Sequence, residues 1–253
     1  MAAITLTFDN LGEAAALERG TWTGATPLGA DPSVTVALPR LLDELERHAL
    51  RGTFCVEAIN CDVYPDAVRA IAARGHELAI HGWRHEAWSE LDPARERELL
   101  SRARDAFGAL GLSPAGFRPP GGMPAPADPR LLADHGIEWW SPVKEAGIDG
   151  SADGPLRTVP FSWEHVDAYL LMERFAELRA RRGDPRAGLD PAGAEARLRA
   201  ALDAGHELVL VLHPFLMLEE AWWEQVRRLL ETVAGRVAAG ELECRTAGRA
   251  ALG

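Results

Sequence analysis

The chain contains at residues 75–85 the stretch Gly75-His76-Glu77-Leu78-Ala79-Ile80-His81-Gly82-Trp83-Arg84-His85. Its first half predicts a strand, because a short, mostly apolar run follows a glycine that ends a helix. Its second half places two imidazoles, His81 and His85, four residues apart, so they would share one side of a helical turn that begins where the strand ends. Such a pair can hold a metal ion, although one HxxxH motif among eight histidines also arises by chance. Whether the pair binds a metal ion or arises by chance depends on the motifs in the rest of the sequence.

The composition is that of a globular protein. A length of 253 residues with 47% hydrophobic residues predicts one domain over residues 1–253. No apolar run approaches the roughly 20 residues of a membrane helix, and the N-terminus lacks the pattern of a secretory signal. The cysteines, Cys55, Cys61 and Cys244, are odd in number and have no CxxC spacing, which argues against disulfides. We therefore expect a cytoplasmic protein without a membrane partner.

The net charge narrows the range of partners. At −11, it disfavours nucleic acid and anionic membrane surfaces. A neutral or cationic small molecule fits this overall charge better as a substrate.

Strand-like segments alternate with helical ones. Strands are predicted at residues 4–8, 53–56, 77–80, 116–118, 137–140, 156–159 and 208–212 and near Leu242. Helices are predicted at residues 38–48, 65–74 and 219–238 and after Asp92-Pro93, Asp128-Pro129 and Asp190-Pro191, where aspartate can cap free amides. Residues 179–190 are charged and contain glycine and proline, which predicts an exposed loop. About seven or eight such units favour an α/β fold with a (β/α)7–8 barrel.

Polar residues follow several of these strands. Residues just past the carboxyl ends of parallel barrel strands gather on one rim, where active sites form. Asp9-Asn10 follows the first strand, His81 and His85 the third, residues 118–122 the next, and His213 the late apolar strand. A metal ion held on this rim could polarise an amide carbonyl, and a histidine could protonate the departing amine. The pattern thus predicts a single hydrolytic site.

Six motifs occur in order along the chain: Thr7-Phe8-Asp9-Asn10, Gly52-Thr53-Phe54, Gly75-His76-Glu77, His81-x-x-x-His85, Arg118-x-Pro120-x-Gly122 and Leu212-His213-Pro214. In these motifs the chain resembles the polysaccharide deacetylase (NodB-homology, carbohydrate esterase family 4) superfamily. The resemblance implies a distorted (β/α) barrel that hydrolyses an N-acetyl amide, a carbon–nitrogen bond, with one divalent metal ion. Zinc is the first expectation for that ion, with nickel, cobalt or iron as alternatives.

The same resemblance implies roles for individual residues. His81 and His85 would be metal ligands, and Asp9 would be the base that activates water. Arg118 would orient that base, and His213 would be the acid that protonates the leaving amine.

One position departs from the family pattern. The usual Asp-Asp pair is here Asp9-Asn10, and the second aspartate is normally the third metal ligand. Three interpretations stay open: Asn10 ligates weakly, Asp9 itself binds the metal and catalysis is rearranged, or the metal is lost and the protein only binds. Carboxylates are common zinc ligands and amide oxygens are not. Glu13, near the end of the first strand, is a further candidate carboxylate.

A second resemblance concerns the substrate. The long insertion at residues 12–32 and the segment at residues 159–167 resemble an intracellular branch with allantoinase-like and cyclic-imidase-like proteins. This resemblance implies a small closed pocket and homo-oligomers. We place Trp163, His165, Asp167, Pro120 and Gly121 in the pocket. The expected substrate is a small amino-sugar-like or natural-product molecule, and the alternatives are cyclic amide or imide hydrolysis and non-catalytic binding.

Other conspicuous residues have structural explanations. His76 and His206 each lie in a Gly-His-Glu motif that enters a strand at the opposite rim, so we expect structural roles for both. Trp222 and Trp223 in the last helix are expected to pack in the core.

Overall fold

One parallel sheet organises the protein. The computed structural model describes residues 2–125, 129–147 and 156–252. In this part of the chain the strands are β1 (Ala2–Asp9), β2 (Thr53–Val56), β3 (Glu77–Ile80), β4 (Gly116–Phe117), β5 (Trp139–Trp140), β6 (Arg157–Thr158), β7 (Leu208–Leu212) and β8 (Leu242–Arg245). Their order is β6-β5-β4-β3-β2-β1-β7, with β8 also paired to β1. The curled parallel sheet and its helices confirm the predicted distorted (β/α) barrel.

Helices connect the strands. The α-helices in the described residues are α1 (Ala14–Glu18), α2 (Leu38–Arg47), α3 (Asn60–Val63), α4 (Pro65–Ala73), α5 (Pro93–Ala109), α6 (Arg130–Asp134), α7 (Asp167–Leu171), α8 (Ala176–Arg181), α9 (Pro191–Asp203), α10 (Glu220–Ala238) and α11 (Ala247–Ala250). Asp92 caps α5 by accepting hydrogen bonds from the amides of Ala94 and Arg95, and Asp190 caps α9 through Gly193, as predicted. The predicted cap Asp128 lies outside the described residues.

The helices cover the sheet with apolar side chains. Leu38, Leu41 and Leu45 of α2 are buried at helical spacing, as the pattern predicts. Trp222 and Trp223 of α10 are buried in the core, also as predicted. Within the part of the chain that the structure describes, no helix combines the length and the apolar character that crossing a membrane requires.

The prediction of an exposed loop over residues 179–190 is wrong at its beginning. Helix α8 includes Arg179, whose side chain is buried. Its guanidinium donates hydrogen bonds to the carbonyl oxygens of Tyr169, Met172 and Arg186. These carbonyls supply the acceptors that a buried guanidinium needs, and the hydrophilic composition gave no sign of them.

The register of the sheet aligns the carboxyl ends of five strands. Phe8 of β1 is paired with Leu212 of β7, which places Asp9 beside His213. Val56 of β2 is paired with Ile80 of β3, so the next residues, Glu57 and His81, are neighbours. Ile80 is in turn paired with Phe117 of β4, which places His81 beside Arg118. Residues far apart in sequence thereby meet on one rim.

Candidate metal and catalytic site

A cavity of about 270 Å³ opens at this rim. The residues that line it are Asp9, Asn10, Arg19, His81, His85, Arg118, Pro119, Gly121, Gly122, Phe161, Trp163, Val166, Arg174, Phe175, Val211 and His213. It therefore brings together the predicted base, the histidine pair, the predicted acid and an aromatic wall. Its size suits a small molecule or one sugar ring.

Asp9 and Arg118 form a buried ion pair beside the cavity. Arg118 Nη1 lies 2.8 Å from Asp9 Oδ1 and also donates to Thr7 Oγ1, while Arg118 Nε and Nη2 donate to Ser141 Oγ. Burial by itself would raise the pKa of Asp9, but the charges of Arg118, His81 and His213 hold this pKa below its ordinary value. Asp9 is consequently ionised at neutral pH and able to accept a proton.

His213 is held by a second carboxylate. Its Nδ1 donates to Asp167 Oδ1 at 2.5 Å, and its backbone amide donates to Asp167 Oδ2 at 2.8 Å. Asp167 is fully buried. This double contact fixes the ring orientation and leaves Nε2 as the nitrogen available to a ligand in the cavity.

The predicted helical turn at His81 and His85 is wrong. The segment that follows β3 is a loop, in which Gly82 has φ +73° and His85 has φ +71°. The Glu86 carboxylate accepts hydrogen bonds from the backbone amides of Trp83 and Arg84, both at 2.9 Å. The left-handed residues and this carboxylate turn the chain so that the two imidazole centroids lie 5.1 Å apart. The histidines thus meet as predicted, but through a different local structure.

His81 has the orientation of a metal ligand. Its Nδ1 donates to the carbonyl oxygen of Arg118 at 2.8 Å, which leaves the lone pair of neutral Nε2 free to ligate. Burial lowers the pKa of His81, and burial likewise lowers the pKa of His85 to about 3. Both imidazoles are therefore neutral near pH 7, the form that binds a metal ion.

Glu57 supplies a carboxylate to the histidine pair. One ligand atom from each of Glu57, His81 and His85 lies within 4.8 Å of the others. Glu57 Oε2 accepts from the amide of Leu11, whereas the buried Oε1 has no hydrogen-bond partner among the described residues. Burial raises the pKa of Glu57 to about 8, which a nearby cation would reverse. Two imidazoles and a carboxylate fit a divalent ion of the zinc type.

The two residues predicted as alternative third ligands have different surroundings. Asp9 is not in the group formed by Glu57, His81 and His85. Its Oδ1 pairs with Arg118, and its Oδ2 lies 4.0 Å from His81 Nε2. Asn10 has φ +62°, and its buried Oδ1 lacks a partner within the described structure. Asn10 consequently offers a neutral oxygen at the cavity and no charge.

Glu13, the other carboxylate considered, is engaged elsewhere. Its oxygens accept hydrogen bonds from Tyr64 Oη at 2.7 Å and from the amide of Gly29 at 3.0 Å. These contacts fix the insertion that follows β1. The suggestion that Glu13 contributes to the metal site is therefore wrong.

The predicted pocket residues divide into two groups. Trp163 and Gly121 line the cavity, and Asp167 lies behind it on His213. Pro120 and His165 are not among the described residues that line this cavity. His165 instead borders a separate depression with Glu164 and Arg197.

Sequence reasoning missed several residues of the site. Glu57 follows β2 directly, so the rule that placed Asp9 and His213 on the rim could have placed Glu57 there too. Glu86 and Ser141 act on the histidine loop and on Arg118, respectively, and no motif pointed to either. Arg19 and Arg174 line the cavity from the turn after α1 and from a short 3-10 helix, for which periodicity gives no signal.

The fold and this geometry together define a (β/α) barrel with a candidate metal centre on its rim. The model of a known family, described as Polysaccharide deacetylase, matches residues 2–140, more than half of the chain. The chain belongs to this family, which confirms the resemblance seen in its motifs. The predicted enzyme class, a hydrolase that acts on carbon–nitrogen bonds, agrees with the family.

Individual relatives are more distant. A peptidoglycan-N-acetylglucosamine deacetylase from Bacillus cereus is 28% identical over 85 residues, 33% of this chain and 31% of the relative. The chain spans less than half the length of this and other curated relatives that it matches. A solved structure from Mycobacterium smegmatis, assigned to the polysaccharide deacetylases, has a TM-score of 0.80 at 27% identity and covers 98% of this chain and 88% of that one. The structure of PuuE allantoinase has a TM-score of 0.75 at 17% identity and covers 98% of this chain and 88% of that one. This similarity is one of fold.

Proposed function

We propose that the protein is a metal-dependent amidohydrolase that removes an N-acetyl or related acyl group from a small molecule. One observation carries the proposal: an ionised Asp9 and a carboxylate-bound His213 line the same cavity as His81 and His85. A general base, a general acid and neutral metal ligands are what hydrolysis of an amide needs.

Glu57, His81 and His85 would hold the ion, and zinc is the first candidate because it favours imidazole and carboxylate ligands. When bound, a divalent ion would polarise the substrate carbonyl and help to activate water near neutral pH. In this chain Glu57 would supply the negative charge that Asn10 lacks. The proposed ligand set therefore differs from the Asp9 or Asn10 alternatives drawn from the sequence.

The proton transfers are assigned to two residues. Asp9 would accept a proton from the attacking water, since Arg118 keeps its carboxylate ionised. His213 would donate a proton from Nε2 to the nitrogen as the carbon–nitrogen bond breaks, because an amine leaves poorly without one. Asp167 would hold the imidazole in the required orientation and favour its protonated form.

The cavity wall supports a small substrate. The ring of Trp163 contacts those of Phe161 and Phe175, with centroid distances of 5.8 Å and 5.6 Å. These aromatic rings bound the cavity on the side of the segment that resembles cyclic-amide hydrolases. A cyclic amide is therefore the second candidate, and its hydrolysis would leave both halves of the product joined.

The test is an assay of zinc-loaded protein with N-acetylglucosamine, a chitooligosaccharide and a cyclic imide. Deacetylation releases acetate and free amine in equal amounts, whereas ring opening releases neither. Asp9→Asn and His213→Gln should abolish either reaction. Protein that takes up no zinc and gives no product from any probe above the Asp9→Asn level would instead support the non-catalytic binding protein.

Three further expectations belong to this proposal. Residues 1–253 would act as one catalytic domain, since Asp9 and His213 line one cavity. A cytoplasmic location agrees with the free state of Cys55, Cys61 and Cys244. The homo-oligomer implied by the second resemblance stays a prediction, which sedimentation analysis would check.

A further inference from the structure

Two arginines line the cavity without a role in the proposed chemistry. Arg19 directly follows α1 as its C-cap, and Arg174 lies in a short 3-10 helix, Glu173–Phe175. They approach the cavity from separate parts of the chain, and both are exposed at its mouth. Two separate segments of the chain thus place a positively charged side chain at the mouth of the cavity.

Neither guanidinium is neutralised within the described residues, where it forms no ion pair and no side-chain hydrogen bond. Arg174 only lies over the ring of Phe175, 5.0 Å from its centroid. Arg40 and Arg74, which are partly exposed, differ in this respect, since Arg40 pairs with Glu220 and Arg74 with Asp43. The donors of Arg19 and Arg174 are therefore available to a ligand.

The two positive charges also affect each other. Both guanidinium groups line the same cavity, where partial desolvation and the charge of Arg19 lower the pKa of Arg174. The third arginine of the cavity, Arg118, is balanced by Asp9. The mouth therefore carries uncompensated positive charge in a chain whose net charge is −11, and an anion would relieve the repulsion.

We propose that Arg19 and Arg174 bind an anionic group of the substrate, a carboxylate or a phosphate. Guanidinium groups suit both, because each can donate two parallel hydrogen bonds. The aromatic wall would hold the body of the molecule, and its acyl group would face Asp9 and His213. The position of the acyl group rests on the proposed function, whereas the anion site does not. The substrate class is then a small N-acylated anion, although the net charge of the whole chain favours a neutral or cationic molecule.

The experiment compares three probes that share one acetamido sugar. N-acetylglucosamine is neutral, N-acetylmuramic acid adds a carboxylate, and N-acetylglucosamine 6-phosphate adds a phosphate. Binding to the zinc-loaded protein is measured by calorimetry, and turnover is measured separately. The variants are Arg19→Gln and Arg174→Gln. Arg249→Gln is the matched control, because Arg249 is exposed on α11, next to the start of β3 at the opposite rim.

We expect at least one anionic probe to bind about ten-fold more tightly than the neutral sugar. Each cavity variant should reduce this preference roughly five-fold, and about 0.5 M salt should weaken it, while Arg249→Gln leaves it unchanged. The preferred probe distinguishes carboxylate from phosphate. Equal binding of all three probes, or a preference that survives in both variants, would overturn the proposal. If the protein prefers an anionic probe but turns over none of the probes, the proposed hydrolase activity is contradicted and the anion site is not.

Discussion

Arg118 and Asp9 form a buried ion pair although 109 residues separate them, with Nη1 2.8 Å from Oδ1. The pairing of β1, β2, β3 and β4 brings them together, and both are almost fully buried. The pair holds Asp9 in the ionised form that a base requires. Among the charges that lower the pKa of Asp9, that of Arg118 has the largest effect.

Replacing Arg118 should therefore change both activity and stability. Arg118→Lys should reduce kcat/KM on the order of 100-fold, because lysine cannot reproduce the contacts to Asp9, Thr7 and Ser141. With its partner weakened, the pKa of Asp9 should rise, so activity should be lost at a higher pH on the acidic side of the profile. Arg118→Gln should also cost about 3–5 kcal/mol in urea unfolding, since Asp9 is then buried unpaired.

Ser141→Ala is the matched control for these variants. It removes one acceptor of the guanidinium and keeps the contact to Asp9. The acidic side of its pH–rate profile should stay in place. An unmoved profile in Arg118→Lys would contradict the assigned role of the pair.

Asp167→Asn tests the orientation of His213. The amide cannot favour a protonated imidazole, so kcat should fall by roughly 100-fold or more while KM changes little. Asp184→Asn is the control, since Asp184 accepts a hydrogen bond from Tyr169 Oη away from His213. Steady-state kinetics on both variants separates a catalytic effect from a loss of folding. A rise in KM alone in Asp167→Asn would assign Asp167 to binding.

The loop between the two histidines gives another prediction. Gly82 has φ +73°, and a Cβ atom there would lie 2.7 Å from Glu86 Oε2 and 3.0 Å from Pro120 Cγ. Gly82→Ala should therefore destabilise the protein by about 1–3 kcal/mol and weaken metal binding, because the histidines would be displaced. Gly205→Ala also places alanine at positive φ but meets no atom within 4 Å, so it serves as the control. Equal metal affinity in the two variants would show that the loop does not position the ligands.

The pH dependence of stability should reflect His76. This side chain is buried against Phe54, and burial lowers its pKa to about 4. The unfolded chain takes up the proton near pH 6.5 and the folded chain does not, so stability is complete above that pH and falls as pH drops toward 4. The loss should be on the order of 3 kcal/mol, because each pKa unit of difference between the folded and unfolded chains is worth about 1.4 kcal/mol. His76→Gln should remove this part of the slope, and His206→Gln, at the exposed histidine of the other Gly-His-Glu motif, should retain it.

Most of the fold could be predicted from local patterns. The strands at residues 53–56, 77–80 and 208–212 were placed at their observed bounds because apolar runs and helix-ending glycines mark them. The strands β4, β5 and β6 are only two residues long each, so the sequence pattern predicts longer strands than the structure contains. Arg179 was misplaced because its burial depends on carbonyls from three separate residues.

The site was less predictable than the fold. The family motifs pointed to Asp9, His81, His85, Arg118 and His213, and all of them line one cavity. Glu57 belongs to no motif considered, and its position beside His81 depends on the register between β2 and β3. The histidine loop was predicted as a helix because spacing alone does not reveal the contacts of Glu86.

The central claim is that Glu57, His81 and His85 hold a divalent ion, and metal content tests it most directly. Native protein, Glu57→Gln, Asn10→Asp and the control Glu13→Gln would be compared after purification without added metal. We predict about one equivalent in the native protein and in Glu13→Gln, and an affinity reduced at least about ten-fold in Glu57→Gln. The account would be contradicted if the native protein holds no metal and only the Asn10→Asp variant binds it. It would also be contradicted if Glu57→Gln binds metal with native affinity.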